Sequence, residues 1–200
     1  MHTLILASGS PRRRELLERA GFLFSVHSIQ ISEIPNKNLS LPEQIEDLAR
    51  QKAYALVESD MCPKLDTNLV LSGDTLVVLN GEVLGKPQDL DQSREFLERL
   101  SGRKHSVITA ICFLEPSQKR EVVAHEESFV YFRKLTEKQI FGYVASGDGL
   151  DKAGAYGIQT LADGFIEKID GNIDNVMGLS ISLVEKLLKE NNWHVNRRKS

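Results

Sequence analysis

Positively charged side chains are concentrated where the first helix of this chain would start. Residues 8–14 read Ser-Gly-Ser-Pro-Arg-Arg-Arg, which places Ser10 at an N-cap position and Pro11 at the first helical position. A helix N-terminus carries partial positive charge, so three arginines there are unfavourable unless an anion binds. Free backbone N–H groups, the hydroxyls of Ser8 and Ser10, and guanidinium groups together are typical of a phosphate site.

Helical geometry separates the three arginines from one another. At about 100° per residue, Leu16 and Leu17 define the apolar face of this helix. Arg13 falls in the middle of that face and Arg12 at its edge, whereas Arg14 lies on the solvent side. We therefore predict that Arg12 and Arg13 face inward, toward the anion. A solvated basic run is the less favoured interpretation, and the segment does not have the Walker A pattern.

An acidic residue interrupts the longest apolar strand pattern. Asp74 lies in residues 69–79, an apolar run broken only by Ser-Gly-Asp-Thr. A carboxylate buried in a strand is costly unless a cation or a metal pairs with it. The Asn-Gly sequence at 80–81 is a strong hairpin signal, and a two-residue loop there would place Thr75 opposite Lys86. The pattern predicts a polar cluster of Asp74, Thr75 and Lys86, with a strand-end capping network as the weaker alternative.

Two further lysines lie in unexpected surroundings. Lys52 falls on the apolar face of a helix predicted at 42–59, where an unpaired charge is costly, and snorkelling to the surface fits the pattern equally well. Lys152 is surrounded by glycines in residues 147–159, which also contain Gln159, and glycine lets a backbone approach a ligand closely. The apolar spacing of this segment favours a packed turn over a flexible loop.

Glu33 and His105 are weaker candidates. Glu33 is either a metal ligand or an ordinary loop acid, and a lone histidine such as His105 is more often hydrogen-bonded and structural than catalytic. Two inward arginines, three lysines and two acids suit a polyphosphate bound with a divalent cation. Phosphoryl chemistry needs charge neutralisation, a metal bridge and a base that orients water. The residues alone therefore indicate an enzyme acting on a phosphate ester or anhydride.

Composition narrows the class of protein. The 200 residues include 25 Lys and Arg against 28 Asp and Glu, a net charge of −3, which argues against a general nucleic-acid binder. Cys62 and Cys112 match no metal spacing and indicate free thiols in a reducing compartment, hence a cytoplasmic protein. No apolar stretch reaches the length of a membrane span, and the apolar N-terminal residues lack the basic leader of a signal peptide.

The elements that position these residues alternate between strands and helices. Amphipathic patterns predict helices at 11–20, 42–59, 91–100, 136–145 and 179–190, and strands at 4–7, 22–28, 69–79, 82–85, 107–114, 121–132 and 165–169. Alternating strands and helices indicate an α/β fold, and the hairpin makes its sheet mixed. The basic segment 194–200 is expected to be a solvated, frayed tail.

Short motifs in order from residue 4 to about residue 188 resemble the Maf family. They are Ser-Gly-Ser-Pro-Arg-Arg at 8–13, Leu-Ala-x-x-Lys-Ala at 48–53, Asp-Thr-x-Val at 74–77, Gly-Lys-Pro at 85–87, Leu-Ser-Gly-x-x-His-x-Val-x-Thr at 100–109, Lys-Ala-Gly-Ala-Tyr-Gly-Ile-Gln at 152–159 and Asn-Val-x-Gly-Leu at 175–179. Departures at Ala110, Thr160 and Ser180, where the family usually has Gly, Gly and Pro, affect loop geometry rather than the charged residues.

The resemblance implies a fold and an activity. The fold would be the elongated α/β fold of inosine-triphosphate pyrophosphatases, a mixed sheet with flanking helices in one domain at 1–193, with a cleft between two lobes. The activity would be the Mg²⁺- or Mn²⁺-dependent hydrolysis of dTTP and UTP, or of modified pyrimidine nucleotides, to monophosphate and pyrophosphate. The family is also linked to removal of modified nucleotides and to cell-division arrest. A homodimer is left open, and neither a nucleic-acid nor a membrane partner is expected.

Residue roles carry over position by position. Asp74 would activate the water and, with Glu33, bind the metal, while Lys52 and Lys86 would act beside it and hold phosphates. The remaining predicted residues contact the substrate: Arg12, Thr75 and Gln159, which match the positions separating the dTTP/UTP branch from a branch acting on 7-methyl-GTP, and Ser8, Ser10, Arg13 and Lys152. Two alternatives stay open: the same fold acting on 7-methyl-GTP or non-canonical purine triphosphates, and a non-enzymatic nucleotide-binding regulator of cell division.

Overall fold

The computed structural model describes residues 1–32, 34–63, 66–159 and 164–198, and these contain seven strands and six α-helices. The strands are β1 (Thr3–Leu6), β2 (Phe24–Val26), β3 (Asn68–Leu79), β4 (Glu82–Leu84), β5 (Lys104–Glu115), β6 (Arg120–Phe132) and β7 (Ile166–Asp170). The helices are α1 (Pro11–Arg19), α2 (Leu41–Glu58), α3 (Leu90–Leu100), α4 (Glu137–Ala145), α5 (Ile173–Met177) and α6 (Ile181–Glu190).

The strands form one mixed sheet in the order β2-β1-β3-β5-β6-β7, with β4 paired to β3, which confirms the predicted α/β class. β1 runs parallel to both its neighbours, whereas β4 and β7 pair in antiparallel fashion. The β3–β4 hairpin has the predicted register, because Leu79 pairs with Glu82 and Val77 with Leu84. β4 ends at Leu84, so the ladder stops two residues before Lys86.

The chain divides into two compact units. Unit 1 comprises Met1–Asp74, Thr109–Glu126 and Gly178–Ser200, and unit 2 comprises Thr75–Ile108 and Glu127–Met177. Strands β3, β5 and β6 contribute residues to both units, since each is continuous through a boundary.

The core of unit 1 follows the helical periodicity of its sequence. In α2 the buried residues recur at helical spacing, which fixes the face turned to the sheet. In α1 the buried residues are Arg13, Leu16 and Leu17, as the helical geometry predicts. Cys112 on β5 is fully buried, and burial raises the pKa of its thiol to about 12. Both cysteines are free thiols, as expected.

Residues 194–198 pair with other parts of the chain, so the expectation of a frayed tail is wrong for them. The His2 N–H donates to the His194 carbonyl at 2.6 Å. The Arg197 guanidinium lies 4.0 Å from the centroid of the Phe22 ring, a cation–π contact. The basic composition suggested a solvated end. Composition gives the charge of a segment but not the hydrogen bonds that its backbone makes.

Unit 2 has its own apolar core, in which α3 and α4 pack against each other. An aromatic cluster lies inside it: Phe132 contacts Tyr156 edge-on at a centroid distance of 4.9 Å, and Tyr143 contacts Phe165 at 5.7 Å. Edge-to-face contacts of this kind are favourable because the positive ring edge meets the negative face. Among the described residues, no helix is long and apolar enough to cross a membrane.

Helix α5 was not predicted, because five residues are too few for a recognisable helical period. It is held by Asn175, which is fully buried and donates to the Val107 carbonyl and to the Ser128 hydroxyl, each at 3.0 Å. The motif at 175–179 thus includes a residue whose described contacts join α5 to β5 and β6.

His105 is structural, as the sequence indicated. It is 2% exposed, its Nε2 lies 2.6 Å from the Tyr156 hydroxyl, and its Nδ1 is buried without a hydrogen-bond partner among the described residues. Burial lowers the pKa of His105 from its ordinary value of 6.5 to about 4, because charging the ring there would remove a cation from water.

We expect His105 to make unit 2 sensitive to acid. Between pH 6.5 and about 4, the unfolded chain binds a proton that the folded chain does not, so stability is lost as the pH falls through this window. His105 alone should lower the free energy of unfolding by about 2 kcal/mol when the pH falls from 7.5 to 5. His105→Gln should reduce the pH dependence by that amount in urea titrations at the two pH values. An unchanged difference between them would show that other groups carry the effect.

Candidate active site

The predicted phosphate-binding segment follows the carboxyl end of β1 in unit 1, where the parallel pairing of β1 with β3 stops. Leu6, the last residue of β1, pairs with Leu71 of β3, and the Ala7 N–H donates to the Leu71 carbonyl at 2.8 Å. The chain reaches Ser8 two residues after β1 ends, and Asp74 lies three residues beyond Leu71. Ligands of α/β sheets bind outside the carboxyl ends of parallel strands, so this region is the expected place for a site.

Lys52 and Asp74 form an ion pair. The Lys52 Nζ donates to Asp74 Oδ1 at 2.6 Å, and the two side chains are 15% and 13% exposed. Lys52 is therefore paired, and the snorkelling alternative is wrong. Because the pair is largely shielded from water, its attraction is stronger than that of a surface pair.

The pair is positioned by a second contact between the same two elements. The Ser72 hydroxyl donates to the Ala49 carbonyl on α2 at 2.6 Å, and Ser72 is fully buried. Residues 72 and 74 share one face of β3, and residues 49 and 52 lie about one turn apart on α2. These two contacts hold strand against helix and fix where the Asp74 carboxylate lies.

Arg13 is buried at the start of α1, where it donates hydrogen bonds to Gly178 and Ser8. Its Nε donates to the Gly178 carbonyl at 2.8 Å, and its Nη1 donates to the Ser8 hydroxyl at 3.0 Å, with the residue 8% exposed. The Ser8 hydroxyl also accepts from the Ser10 N–H at 3.2 Å. Ser8, Ser10 and Arg13 are therefore brought together, as the anion-site hypothesis requires.

The side chains of the other two arginines of α1 have the predicted orientations. Arg12 is half-buried, whereas Arg14 is exposed and pairs with Glu18 at 2.8 Å one turn along α1. Ser10 occupies the N-cap position, but its side chain makes no capping hydrogen bond to the described helix. The first turn of α1 contains no acidic residue, so its positive end is available to an anion.

The remaining predicted residues belong to unit 2. Thr75 is half-buried on β3, Lys86 is exposed just after β4, and Gln159 is exposed. Lys152 is buried, and its hydrogen bonds among the described residues go to Asp148 and Asp151, with its Nζ at 3.1 Å from Asp148 Oδ1. The charge of Lys152 is therefore balanced by acids of its own loop. For this reason a phosphate-binding role is less well supported for Lys152 than for Arg13.

The glycine-rich segment is a packed turn, as its apolar spacing favours. A Cβ on Gly149 would overlap the backbone carbonyl group of Ala155, and a Cβ on Gly154 would lie 2.9 Å from Val77 Cγ1. The Gly154 N–H donates to the Gly85 carbonyl at 3.0 Å. These glycines let the chain approach itself closely, which is a sufficient reason for glycine here without a ligand.

The predicted metal ligands are Glu33 and Asp74. Glu33 lies outside the described residues, and no group of three or more His, Cys, Asp or Glu side chains in the described part of the chain could form a metal cage. Asp74 supplies a carboxylate from the middle of β3, three residues past the last pairing with β1. Mg²⁺ commonly binds one or two carboxylates together with substrate phosphates and water, so Asp74 fits that type of site.

Three residues that position the site were not recognised from the sequence. Ser72 anchors α2, Gly178 accepts from Arg13, and a Cβ on Gly73 would lie 3.0 Å from the Ala110 carbonyl oxygen and 3.5 Å from Arg13 Nε. A glycine inside a strand often marks a close approach of another group, and that signal was available at Gly73.

The molecule is an α/β protein in which a basic helix N-terminus follows β1 and an ion-paired carboxylate lies on the neighbouring strand β3. The family model described as Maf-like protein matches residues 3–191, and the chain belongs to the Maf family.

Its relatives match along nearly their whole length. The chain is 49% identical over 187 residues to a dTTP/UTP pyrophosphatase of Bdellovibrio bacteriovorus, with 94% of this chain and 97% of the relative covered. It is 44% identical over 188 residues to one of Moorella thermoacetica, with 94% of each covered. It is 41% identical over 196 residues to one of Alkaliphilus oremlandii, with 98% of this chain and 99% of the relative covered.

Proposed function

We propose that this chain is a nucleoside triphosphate pyrophosphatase that hydrolyses dTTP and UTP to the monophosphate and pyrophosphate. The observation that carries the proposal is the shielded Lys52–Asp74 pair at 2.6 Å, whose acid is the neighbour of Gly73, the β3 residue that lies beside Arg13. The names and near-complete coverage of the relatives support the substrate class.

Asp74 is proposed as the proton acceptor for the attacking water. Lys52 holds Oδ1, so the carboxylate keeps one orientation, and an oriented base contributes about 10²- to 10⁴-fold to a rate. Lys52 and Lys86 are proposed to stabilise charge that develops on the phosphate oxygens during cleavage.

The triphosphate is proposed to bind at the N-terminus of α1. Arg13, Ser8 and Ser10 are already connected there by hydrogen bonds, and the half-buried Arg12 comes from the same turn. Backbone N–H groups and guanidinium forks suit phosphate oxygens because they combine charge with directed donors. Lys152 is the least supported member of the set, since its charge is balanced by two acids.

A divalent cation, Mg²⁺ or Mn²⁺, is proposed as the cofactor. Asp74 and Glu33 would hold it, and it would neutralise charge on the phosphates when bound. Mg²⁺ needs few protein carboxylates when phosphates complete its coordination, which agrees with the sparse set of acids in this site.

Base preference is proposed to depend on Arg12, Thr75 and Gln159. We also propose a single catalytic domain at 1–193, because β3, β5 and β6 are shared by both units, and a cytoplasmic location in keeping with two buried free thiols.

The experiment is a nucleotide panel with pyrophosphate readout, run with Mg²⁺, with Mn²⁺ and with excess EDTA. We expect dTTP and UTP to be the best substrates, and EDTA to abolish turnover. Preference for 7-methyl-GTP or a non-canonical purine triphosphate would keep the fold and change the substrate. Tight nucleotide binding in calorimetry without turnover of any nucleotide would indicate a regulatory protein instead.

A further inference from the structure

Two glycines of unit 1 contact or adjoin the Arg13 guanidinium, and the proposed function gives neither a role. Gly178, just before α6, accepts a hydrogen bond from Arg13 Nε at 2.8 Å. Gly73, on β3, is placed so that an added Cβ would lie 3.5 Å from the same nitrogen. The guanidinium is thus approached from two separate elements, although Arg13 lies on a third, α1.

The backbone of Gly178 has a conformation that other residues rarely adopt. Its φ is 114°, outside the regions accessible to side chains with a Cβ. The direction of a carbonyl depends on the dihedral angles of the residue that bears it. A residue forced to a negative φ at this position would turn its carbonyl away from Arg13 Nε.

Gly73 contributes space rather than a hydrogen bond. A Cβ at this position would lie 3.0 Å from the Ala110 carbonyl oxygen on β5, a backbone atom that cannot move without the sheet. The same Cβ would lie 3.5 Å from Arg13 Nε, an ordinary van der Waals distance. The space at Gly73 therefore serves the close approach of β5, and the guanidinium is held by Gly178 and Ser8.

We propose that Gly178 is a positioning residue that acts through Arg13. Gly178 directs its carbonyl to Nε, and Ser8 holds Nη1. With two nitrogens fixed, the guanidinium has one orientation toward the triphosphate. The inference rests on the proposed function, because that proposal assigns Arg13 to the phosphates.

The first test is spectroscopic and independent of activity. The Nε–Hε resonance of Arg13 is identified as the one absent from Arg13→Lys in a ¹⁵N spectrum. It should exchange slowly with solvent in the wild-type protein, and shift and exchange faster in Gly178→Ala. An unchanged resonance in Gly178→Ala would overturn the inference.

The second test is kinetic. We expect kcat/KM for dTTP to fall about 10- to 100-fold in Gly178→Ala, because a binding group displaced by about 1 Å loses that much. In the Arg13→Lys background, Gly178→Ala should change kcat/KM by less than about threefold, since the group it positions is absent. Equal losses in both backgrounds would show that Gly178 acts on the fold and not through Arg13.

A matched control separates positioning from general strain. Gly164→Ala places alanine at nearly the same unfavourable φ as Gly178→Ala, because the φ of Gly164 is 113°. This control should keep wild-type kcat/KM and the Arg13 resonance. If the wild-type protein does not turn over dTTP, the proposed function fails, and the spectroscopic test alone then decides on Gly178.

Discussion

Asp74→Asn is expected to lower kcat for dTTP about 10³-fold, which is the loss typical when a general base is removed. Asparagine has nearly the same shape and keeps an oxygen that can accept from Lys52, but it cannot take a proton from water. We therefore expect dTTP binding in calorimetry to persist while pyrophosphate release stops. The free energy of unfolding should change by no more than about 2 kcal/mol, since one charge-assisted hydrogen bond is weakened.

The matched control is Asp170→Asn. Asp170 pairs with Lys168 at 3.7 Å, but both side chains are more than half exposed, so the same chemical change there removes a solvated pair. Its kcat should equal that of the wild type. An Asp74→Asn variant that keeps at least a tenth of the wild-type kcat would remove Asp74 from the role of base.

Gly149→Ala is expected to destabilise the protein by about 3 kcal/mol, the upper end of the usual range for overpacking. The new methyl group would lie 2.9 Å from the Ala155 carbonyl carbon and closer still to its oxygen. Both are backbone atoms, so no side chain can rotate to relieve the overlap. Ala155 already has a φ of 61°, and the turn has little freedom to adjust.

Urea unfolding measures this loss, with Gly142→Ala as the control for adding a methyl group to a glycine. Gly142 lies in α4 with open space around it, and alanine there should raise the free energy of unfolding by about 1 kcal/mol. Wild-type stability in Gly149→Ala would mean that the turn at 147–157 is looser than the structure indicates.

Local patterns were enough to predict the class of fold and the orientations of the arginine side chains on α1. Periodicity distinguishes helices from strands, and about 100° per residue separates Arg13 from Arg14 without knowledge of any neighbour. The Asn-Gly turn fixed the register of β3 against β4, because a two-residue loop leaves one pairing.

Contacts between residues distant in the chain could not be predicted in the same way. Lys52 and Asp74 were each recognisable as unusual, but their pairing across 22 positions depends on how α2 lies on β3. The Gly178 carbonyl is 165 positions from Arg13, and a backbone oxygen has no sequence pattern.

Strand β3 carries different chemistry on its two faces. Ser72 and Asp74 contact α2, while Gly73 between them faces Arg13. Apolar residues border this segment, and residues 69–71 and 77–79 are buried regardless of the face they occupy. A one-residue insertion before Ser72 would exchange the faces of the polar residues and bring a side chain to the place of Gly73, against the Ala110 carbonyl oxygen. Such an insertion would separate Asp74 from Lys52 and strain β3 against β5, so the length of this strand is restricted by the reaction and by stability together.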